Sequence, residues 1–206
     1  KKQWAVDPTT CFTLKEVKAM FKAAQARKHA SRAGLRDWIF IVLGLNTGLR
    51  ISEIASLKCK NVVISQAVYP HVLVESGKND KSRRVPLNTY TILAVKEYLE
   101  SKALFEPVGE EEPFLRSPIG DSYYSRSGLF LAFKRVLKLA RGIEKPERFH
   151  PHSMRHTFAT HLYKASGYNL RLVQELLGHS SSAVTEVYTT IFNQDRSQAM
   201  EDLYDL

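Results

Sequence analysis

Residues 150–188 read HPHSMRHTFATHLYKASGYNLRLVQELLGHSSSAVTEVY, and they combine several groups that bind phosphate with a potential nucleophile. His152 and Arg155 are three positions apart, and His179 follows a Leu-Gly pair. Tyr188 comes nine positions after His179. One arginine, two histidines and a phenol are an unusual set for an apolar core, but together they can hold and attack a phosphodiester.

The same stretch predicts three short helices, separated by residue types at which helices begin or end. Pro151 suits the first position of a helix because its φ is fixed. The predicted helices run from Pro151 to Gly167, from Asn169 to Gly178, and from residues 180–182 through Tyr188. On the first of them His152, Arg155 and His156 share one face. A final amphipathic helix is predicted over residues 194–203.

A second motif, TGLRISEIASL at residues 47–57, places Arg50 and Glu53 on one face of a short helix. A surface ion pair is the simpler interpretation of this spacing. However, Arg50 follows an apolar segment, residues 35–46, that predicts a buried helix ending at Gly48. A rigid support of this kind is typical of a functional side chain, so it favours an Arg50 whose charge is held in a fixed position.

Between residues 61 and 87 the hydrophobic pattern changes to short runs that are typical of β-strands. The runs at 62–64, 72–74 and 85–87 predict a small antiparallel sheet. The predicted hairpin GKNDKSRR, residues 77–84, has four basic residues among its eight. It is either a solvated turn or a positively charged finger that reaches a phosphate group.

Helices account for most of the remaining chain. Thr13 and Glu16 form a capping-box pattern that begins a helix running to about Arg27. Further helices are predicted over residues 89–102 and 127–141, with a linker or arm at 1–12 and loops at 28–34 and 106–124. The sequence therefore predicts an α+β fold that is mainly α-helical.

The composition favours a polyanionic partner, and nucleic acid is the first candidate. Lys and Arg outnumber Asp and Glu by 30 to 21 in 206 residues, a formal charge of +9. Cys11 and Cys59 are far apart, so we expect reduced thiols and a cytoplasmic, nucleoid-associated protein. The longest apolar run, residues 38–45, is too short to span a bilayer, so no membrane partner is expected. The chain begins without Met, which suggests a fragment of a longer protein.

The motifs predict one site for phosphodiester chemistry. Fixed guanidinium groups stabilise the extra charge of the transition state, so Arg50 and Arg155 are expected to clamp the phosphate from two helices. His152 and His179 can donate hydrogen bonds or move a proton, Lys78 can protonate the leaving 5′ oxygen, and Tyr188 is the predicted nucleophile. No cofactor is needed, and no metal site is predicted because the sequence lacks a cluster of metal-binding carboxylates.

These motifs resemble those of the catalytic domain of tyrosine recombinases, the phage-integrase and Xer-type family. TGLRISEIASL, the hairpin followed by VPL, HPHSMRHTFATHL and LGHSSSAVTEVY occur in the family's order over about residues 12–192. The resemblance implies that Arg50, Lys78, His152, Arg155, His179 and Tyr188 form the catalytic set. Glu53 would then support Arg50 and His152 without taking part in the chemistry.

The resemblance also implies a fold and a mechanism. We expect a helical catalytic domain over residues 13–192 with a three-stranded antiparallel sheet, and a tail helix over 193–206. The family cleaves double-stranded DNA to a 3′-phosphotyrosine and exchanges strands through a Holliday junction without ATP or metal. The tail helix resembles the segment by which protomers dock in a tetramer on DNA. A separate N-terminal DNA-binding domain is expected in the full-length protein.

Four further residues are predicted to contact DNA, and some assignments stay open. Lys81 is an alternative to Lys78, because both lie in the same hairpin. The predicted DNA contacts are Lys81, Arg83, Arg84 and His156, with the two arginines binding backbone phosphates.

Two other functions fit parts of the pattern: a type IB topoisomerase, and a DNA-binding module without catalysis. The second would leave Arg50, Lys78 and Tyr188 without a common purpose.

Overall fold

The structure is a computed structural model, and it describes residues 10–65, 69–75, 82–118 and 122–178. Within these ranges the chain is mainly helical and has one small sheet, as the sequence predicts. The helices are α1 (Leu14–Lys28), α2 (Arg32–Thr47), α3 (Ile51–Ala55), α4 (Thr89–Ala103), α5 (Arg126–Leu139), α6 (Pro151–Ala165) and α7 (Leu170–Leu177). The strands are β1 (Val62–Val63), β2 (His71–Val74) and β3 (Arg83–Pro86).

The helix α2 lies at the centre of the core, because it is apolar on nearly every face. Its residues from Trp38 to Leu43 are all at most 2% exposed. It packs against α1, α4, α5 and α6, so its C-terminal end is fixed from several sides. None of the helices in the described ranges is long and apolar enough to cross a membrane.

The helix α2 begins earlier than the sequence pattern predicts. Ser31 caps it by accepting a hydrogen bond from the Gly34 amide at 3.0 Å, so its first turn lies within the predicted loop 28–34. That loop prediction was wrong because Arg32, Ala33 and Gly34 carry no apolar pattern. Gly34 also faces the Arg27 carbonyl so closely that a Cβ atom would lie 2.0 Å from its oxygen. The close approach of α1 and α2 therefore explains the glycine inside a helix.

The three strands form one antiparallel sheet in the order β1-β2-β3. Val72 pairs with Val62 on one side and with Val85 on the other. All three valines are buried, which turns one face of the sheet towards the helical core. Along β3 burial alternates, so that Arg83 and Val85 point inwards while Arg84 is exposed.

The first described residues belong to the core, although the sequence places residue 12 in an arm. Phe12 is 1% exposed, and its ring stacks on Phe149 with centroids 3.9 Å apart. Its backbone amide donates a hydrogen bond of 2.8 Å to the Thr157 hydroxyl in α6. The packed domain therefore includes Phe12 and not only the helix that begins after Thr13.

Candidate active site

Arg50 and Glu53 lie at the beginning of α3, directly after the turn that ends α2. Gly48 takes the left-handed conformation at this turn, with φ +62°. The Glu53 carboxylate accepts hydrogen bonds from the Arg50 backbone amide at 2.7 Å and from Arg50 Nη1 at 2.9 Å. The Arg50 side chain is still 39% exposed, against 15% for Glu53. Glu53 therefore supports an arginine that remains accessible to a ligand.

Arg83 also binds the Glu53 carboxylate, through both of its terminal nitrogens. Its Nη1 and Nη2 donate to the two Glu53 oxygens at 3.0 and 2.8 Å, and its Nε donates to the Leu176 carbonyl at 2.9 Å. The sequence predicts a phosphate contact for Arg83, whereas the structure directs its guanidinium to the protein. Arg83 lies on the same face of β3 as buried Val85, whereas Arg84 lies on the exposed face.

Two arginines keep the Glu53 carboxylate ionised. Burial of this group favours its neutral form, but the hydrogen bonds from Arg83 and the Arg50 amide and the positive charges of both side chains outweigh burial. The pKa of Glu53 is consequently lowered. Glu53 therefore carries a full negative charge at neutral pH and keeps both arginines oriented.

Arg155 approaches the same cluster from α6. Its Nη1 donates to the Gly48 carbonyl and its Nη2 to the Leu177 carbonyl, each at 2.8 Å. Nη1 also lies 4.0 Å from Glu53, and the side chain is 2% exposed. Arg155 therefore connects the turn before Arg50 with the last residue of α7, which lies two positions before His179 in the sequence.

His152 lies one turn before Arg155 on α6, beside the arginines. Burial lowers its pKa to about 4, and the positive charges of Arg155 and Arg50 act in the same direction. The imidazole is therefore neutral at physiological pH, with one nitrogen that donates a hydrogen bond and one that accepts. Among the described residues, Glu53 accepts its hydrogen bonds from Arg50 and Arg83 and not from His152, so the expected support of His152 by Glu53 is not observed.

Of the remaining predicted site residues, the structure describes only His156 and Arg84. The His156 ring packs edge-on against His152, with centroids 4.6 Å apart. Arg84 is exposed at the edge of the sheet. Lys78, Lys81, His179 and Tyr188 lie outside the residues that the structure describes, and their roles stay predictions.

An open groove of about 690 Å³ runs beside His152. Phe130 and Leu131 of α5 form one side of it and are 42% and 57% exposed. Arg126, Ile51 and His150 also line it. The groove therefore combines apolar side chains with basic and imidazole groups. In the described ranges, no three His, Cys, Asp or Glu side chains are grouped so that they could hold a metal ion.

The described site is suited to an anion with more than one oxygen. Three guanidinium groups lie around the single Glu53 carboxylate, so positive charge exceeds negative charge among these four residues. Arg50 is the most exposed of the three arginines, and neutral His152 lies beside it. This combination can bind a phosphate and stabilise additional charge on its oxygens.

Comparison with known proteins gives the same assignment for most of the chain. The model of the phage integrase family matches residues 11–195. The chain is 34% identical over 185 residues to the tyrosine recombinase XerC of Staphylococcus epidermidis strain RP62A, covering 89% of this chain and 57% of that protein. It is also 34% identical over 195 residues to the tyrosine recombinase XerD of Caulobacter vibrioides, covering 93% of this chain and 60% of that protein.

Solved structures of recombinases have the same fold. The XerA recombinase superposes with a TM-score of 0.73 at 25% identity, covering 93% of this chain and 65% of the other. A post-cleavage complex of the XerH site-specific recombinase with a palindromic difH substrate gives a TM-score of 0.74 at 25% identity, covering 97% and 56%. The chain thus spans somewhat more than half the length of the curated relatives that it matches.

Proposed function

Because the chain belongs to the phage integrase family, we propose that it is the catalytic part of a site-specific DNA recombinase that acts through a covalent phosphotyrosine. The observation that carries the proposal is the convergence of Arg50 and Arg155 on Glu53, with neutral His152 beside them. These residues come from two motifs that are about a hundred positions apart, and they are the ones needed to bind a phosphodiester.

The proposed cleavage step is a displacement at phosphorus. The Tyr188 oxygen attacks the phosphorus atom and loses its proton, while the bond from phosphorus to the 5′ oxygen breaks. The leaving oxygen takes a proton, which Lys78 supplies as general acid. The products are a 3′-phosphotyrosine and a free 5′ hydroxyl. The hydroxyl of a partner strand reverses the step, so the energy of the broken bond is kept in the phosphotyrosine.

The arginines have to do more in the transition state than in the ground state. A phosphodiester carries one negative charge, and attack by an anionic oxygen adds a second one. Arg50 and Arg155 are always protonated and offer paired N–H groups, so they stabilise this added charge. His152 and His179 donate hydrogen bonds to the same oxygens, and His179 can accept the phenol proton.

Double-stranded DNA is the proposed substrate. The charge of +9 and the exposed Arg84 favour binding to the phosphate backbone, which supplies affinity more than sequence selection. Lys81 and His156 are further proposed contacts. Action on chromosomal DNA would place the protein at the nucleoid.

Strand exchange between two duplexes requires several protomers. The helix pattern of residues 194–203 supports docking of the C-terminal tail onto a neighbouring protomer, in a tetramer on DNA. A variant that ends at residue 192 tests this step by itself. It should still cleave a single site, whereas recombination between two sites and the tetramer in sedimentation analysis should both be lost.

The central experiment captures the covalent intermediate. Duplexes that the complete protein binds are first selected from a random-sequence library, and a nick is then placed beside each phosphate in turn. A nick near the cleaved phosphate lets the short fragment diffuse away, so the protein stays attached to DNA. We expect a covalent band on a denaturing gel with the native protein and none with Tyr188→Phe.

The matched control is Tyr168→Phe, which removes the hydroxyl of an exposed tyrosine that lies 20 positions earlier in the sequence. This variant should give the same band as the native protein. Bound DNA without any covalent band would favour a DNA-binding module without catalysis. A covalent band with relaxation of supercoils but no joining of two sites would favour a type IB topoisomerase.

A further inference from the structure

Arg83 is connected to two different parts of the candidate site by its three guanidinium nitrogens. Both Nη atoms donate to Glu53, and Nε donates to the Leu176 carbonyl near the end of α7. Its side chain is 13% exposed, whereas the neighbouring Arg84 points to the opposite, exposed face of β3. Arg83 is therefore engaged mainly with the protein and not with solvent.

The contact with Glu53 determines how Arg50 is held. Each Glu53 oxygen accepts one hydrogen bond from Arg83 and one from Arg50. A paired contact between a guanidinium and a carboxylate fixes the plane of the carboxylate, because the two groups match in geometry. Rotation of Glu53 would break its hydrogen bonds to Arg50, so the orientation of the Arg50 side chain depends on Arg83.

The contact with Leu176 determines how α7 ends. The last carbonyl groups of a helix have no partner inside the helix. Here Arg83 binds the carbonyl of Leu176, and Arg155 binds that of Leu177. Gly178 then turns the chain with φ +66°, and a Cβ atom at this position would lie 2.9 Å from both Cδ and Nη1 of Arg83. The Arg83 side chain is therefore packed directly against the residue that precedes His179.

We propose that Arg83 is a positioning residue, which holds Glu53 with Arg50 and the C-terminal end of α7 in one fixed arrangement. Arg83 is itself part of the predicted hairpin sequence, residues 77–84, in which Lys78 lies. The inference rests on the proposed function and adds a second positioning residue, beside Glu53, to the six predicted catalytic residues. Arg83 orients the groups that bind the phosphate and does not itself touch DNA.

The test compares three arginine substitutions. Arg83→Met removes the guanidinium, and Arg83→Lys keeps the charge but cannot make the paired contact. Arg135→Met is the matched control, because Arg135 makes the same kind of paired contact with buried Asp37, at 3.0 and 2.7 Å, away from the site. The control therefore shows how much the loss of a paired arginine–carboxylate contact lowers stability when the candidate site is not altered.

Cleavage is measured in a single turnover with saturating DNA, at a temperature where all variants are folded. We expect the rate constant of Arg83→Met to fall roughly 100-fold, the loss typical of a misplaced catalytic group. Arg83→Lys should recover only part of the rate, and Arg135→Met should cleave like the native protein. A native rate in Arg83→Met, or an equal loss in Arg135→Met, would overturn the proposal.

The pH profile gives a readout that a purely structural role would not change. Without Arg83, burial of Glu53 is opposed by fewer positive groups, so the pKa of Glu53 rises. Cleavage by Arg83→Met should therefore decline at a higher pH than cleavage by the native protein as the solution is acidified. Arg135→Met should keep the native profile. Superimposable profiles for Arg83→Met and the native protein would contradict the proposal.

Hydrogen exchange separates this proposal from the proposed function. Amides in residues 50–56 and 170–178 should exchange faster in Arg83→Met than in the native protein, and not faster in Arg135→Met. This comparison decides the positioning role even if the native protein forms no covalent band, an outcome that would contradict only the proposed function. Unchanged exchange in both segments would overturn the positioning role.

Discussion

Arg155 Nη1 donates a hydrogen bond of 2.8 Å to the Gly48 carbonyl, across 107 positions of sequence. The bond joins the second turn of α6 to the turn that precedes Arg50. Since the same guanidinium also binds Leu177 O, three separate segments meet at one buried side chain. The relative positions of the catalytic motifs are therefore fixed by backbone contacts and not only by side-chain packing.

Replacing Gly48 by alanine should damage both stability and the site. The residue has φ +62°, and a Cβ atom would lie 2.3 Å from Phe158 Cδ1. We expect a loss of about 2–5 kcal/mol in the free energy of unfolding, from the left-handed backbone together with the clash. This loss is measured by unfolding both proteins in urea while circular dichroism is monitored.

Gly167→Ala is the control for this substitution, since Gly167 has φ +65° and a Cβ atom added there would meet no other atom within 4 Å. It should lose only the backbone contribution, about 1–2 kcal/mol. Equal losses in the two variants would show that the contact with Phe158 does not matter.

Thr157→Val should weaken the attachment of the first described residues to α6. The Thr157 hydroxyl accepts from the Phe12 amide at 2.8 Å and donates to the Ser153 carbonyl at 2.7 Å. Valine has a similar shape but leaves the buried amide without its acceptor, so we expect a loss of about 1–3 kcal/mol in unfolding free energy. Thr160→Val, which affects a 3.6 Å contact with Cys11 Sγ, should lose less.

His152 should contribute to loss of stability in acid. Its pKa is about 4 in the folded protein and close to 6.5 in the unfolded chain. Between these two pH values the unfolded chain binds more protons than the folded protein. The contribution of His152 to the free energy of unfolding is therefore present above pH 6.5 and is lost as the pH falls towards 4. The free energy of unfolding of His152→Asn should therefore depend less on pH in this window. If the free energy of unfolding of His152→Asn changes with pH as steeply as that of the native protein, other groups account for the loss of stability in acid.

Titration of the same imidazole by NMR tests the influence of Arg50. The charge of Arg50 helps to lower the pKa of His152, so Arg50→Ala should raise that pKa. The signals of His152 in this variant should titrate at a higher pH than in the native protein. A shift to lower pH would contradict the proximity of the two side chains.

Arg50 should matter for cleavage more than for DNA affinity. Arg50→Ala removes donors aimed at charge that develops in the transition state, and such losses lower rates by about 10²–10³-fold. Arg50→Lys keeps the charge without the planar fork, so it should restore only part of the rate. Single-turnover cleavage and DNA binding measured in parallel separate the two effects. A native rate in Arg50→Lys would show that charge alone is sufficient.

The sequence was most informative where local chemistry decides the structure. The caps Thr13 and Asn169 begin helices as predicted, and Gly48 and Gly178 end them in the left-handed conformation. Each of these features depends on a few neighbouring residues. The three strands were also predicted, because their apolar runs are short and separated by polar turns.

Contacts between distant segments were less predictable. Arg83 and Arg84 are adjacent and chemically identical, and only the pairing of β3 in the sheet decides which one faces Glu53. The backbone acceptors of Arg155 likewise depend on how α6, α7 and the end of α2 come together. Motif spacing identified these arginines, but it could not identify their partners.

The stacking of Phe12 on Phe149 bears on how this domain folds during synthesis. Phe12 leaves the ribosome before both of its partners, since Phe149 and the Thr157 hydroxyl that binds its amide emerge more than 130 residues later. Contacts of such long sequence separation slow folding, because a long loop has to close before they form. Until α6 has been translated, Phe12 therefore lacks both of these partners, and Arg155 is not yet there to bind the Gly48 carbonyl.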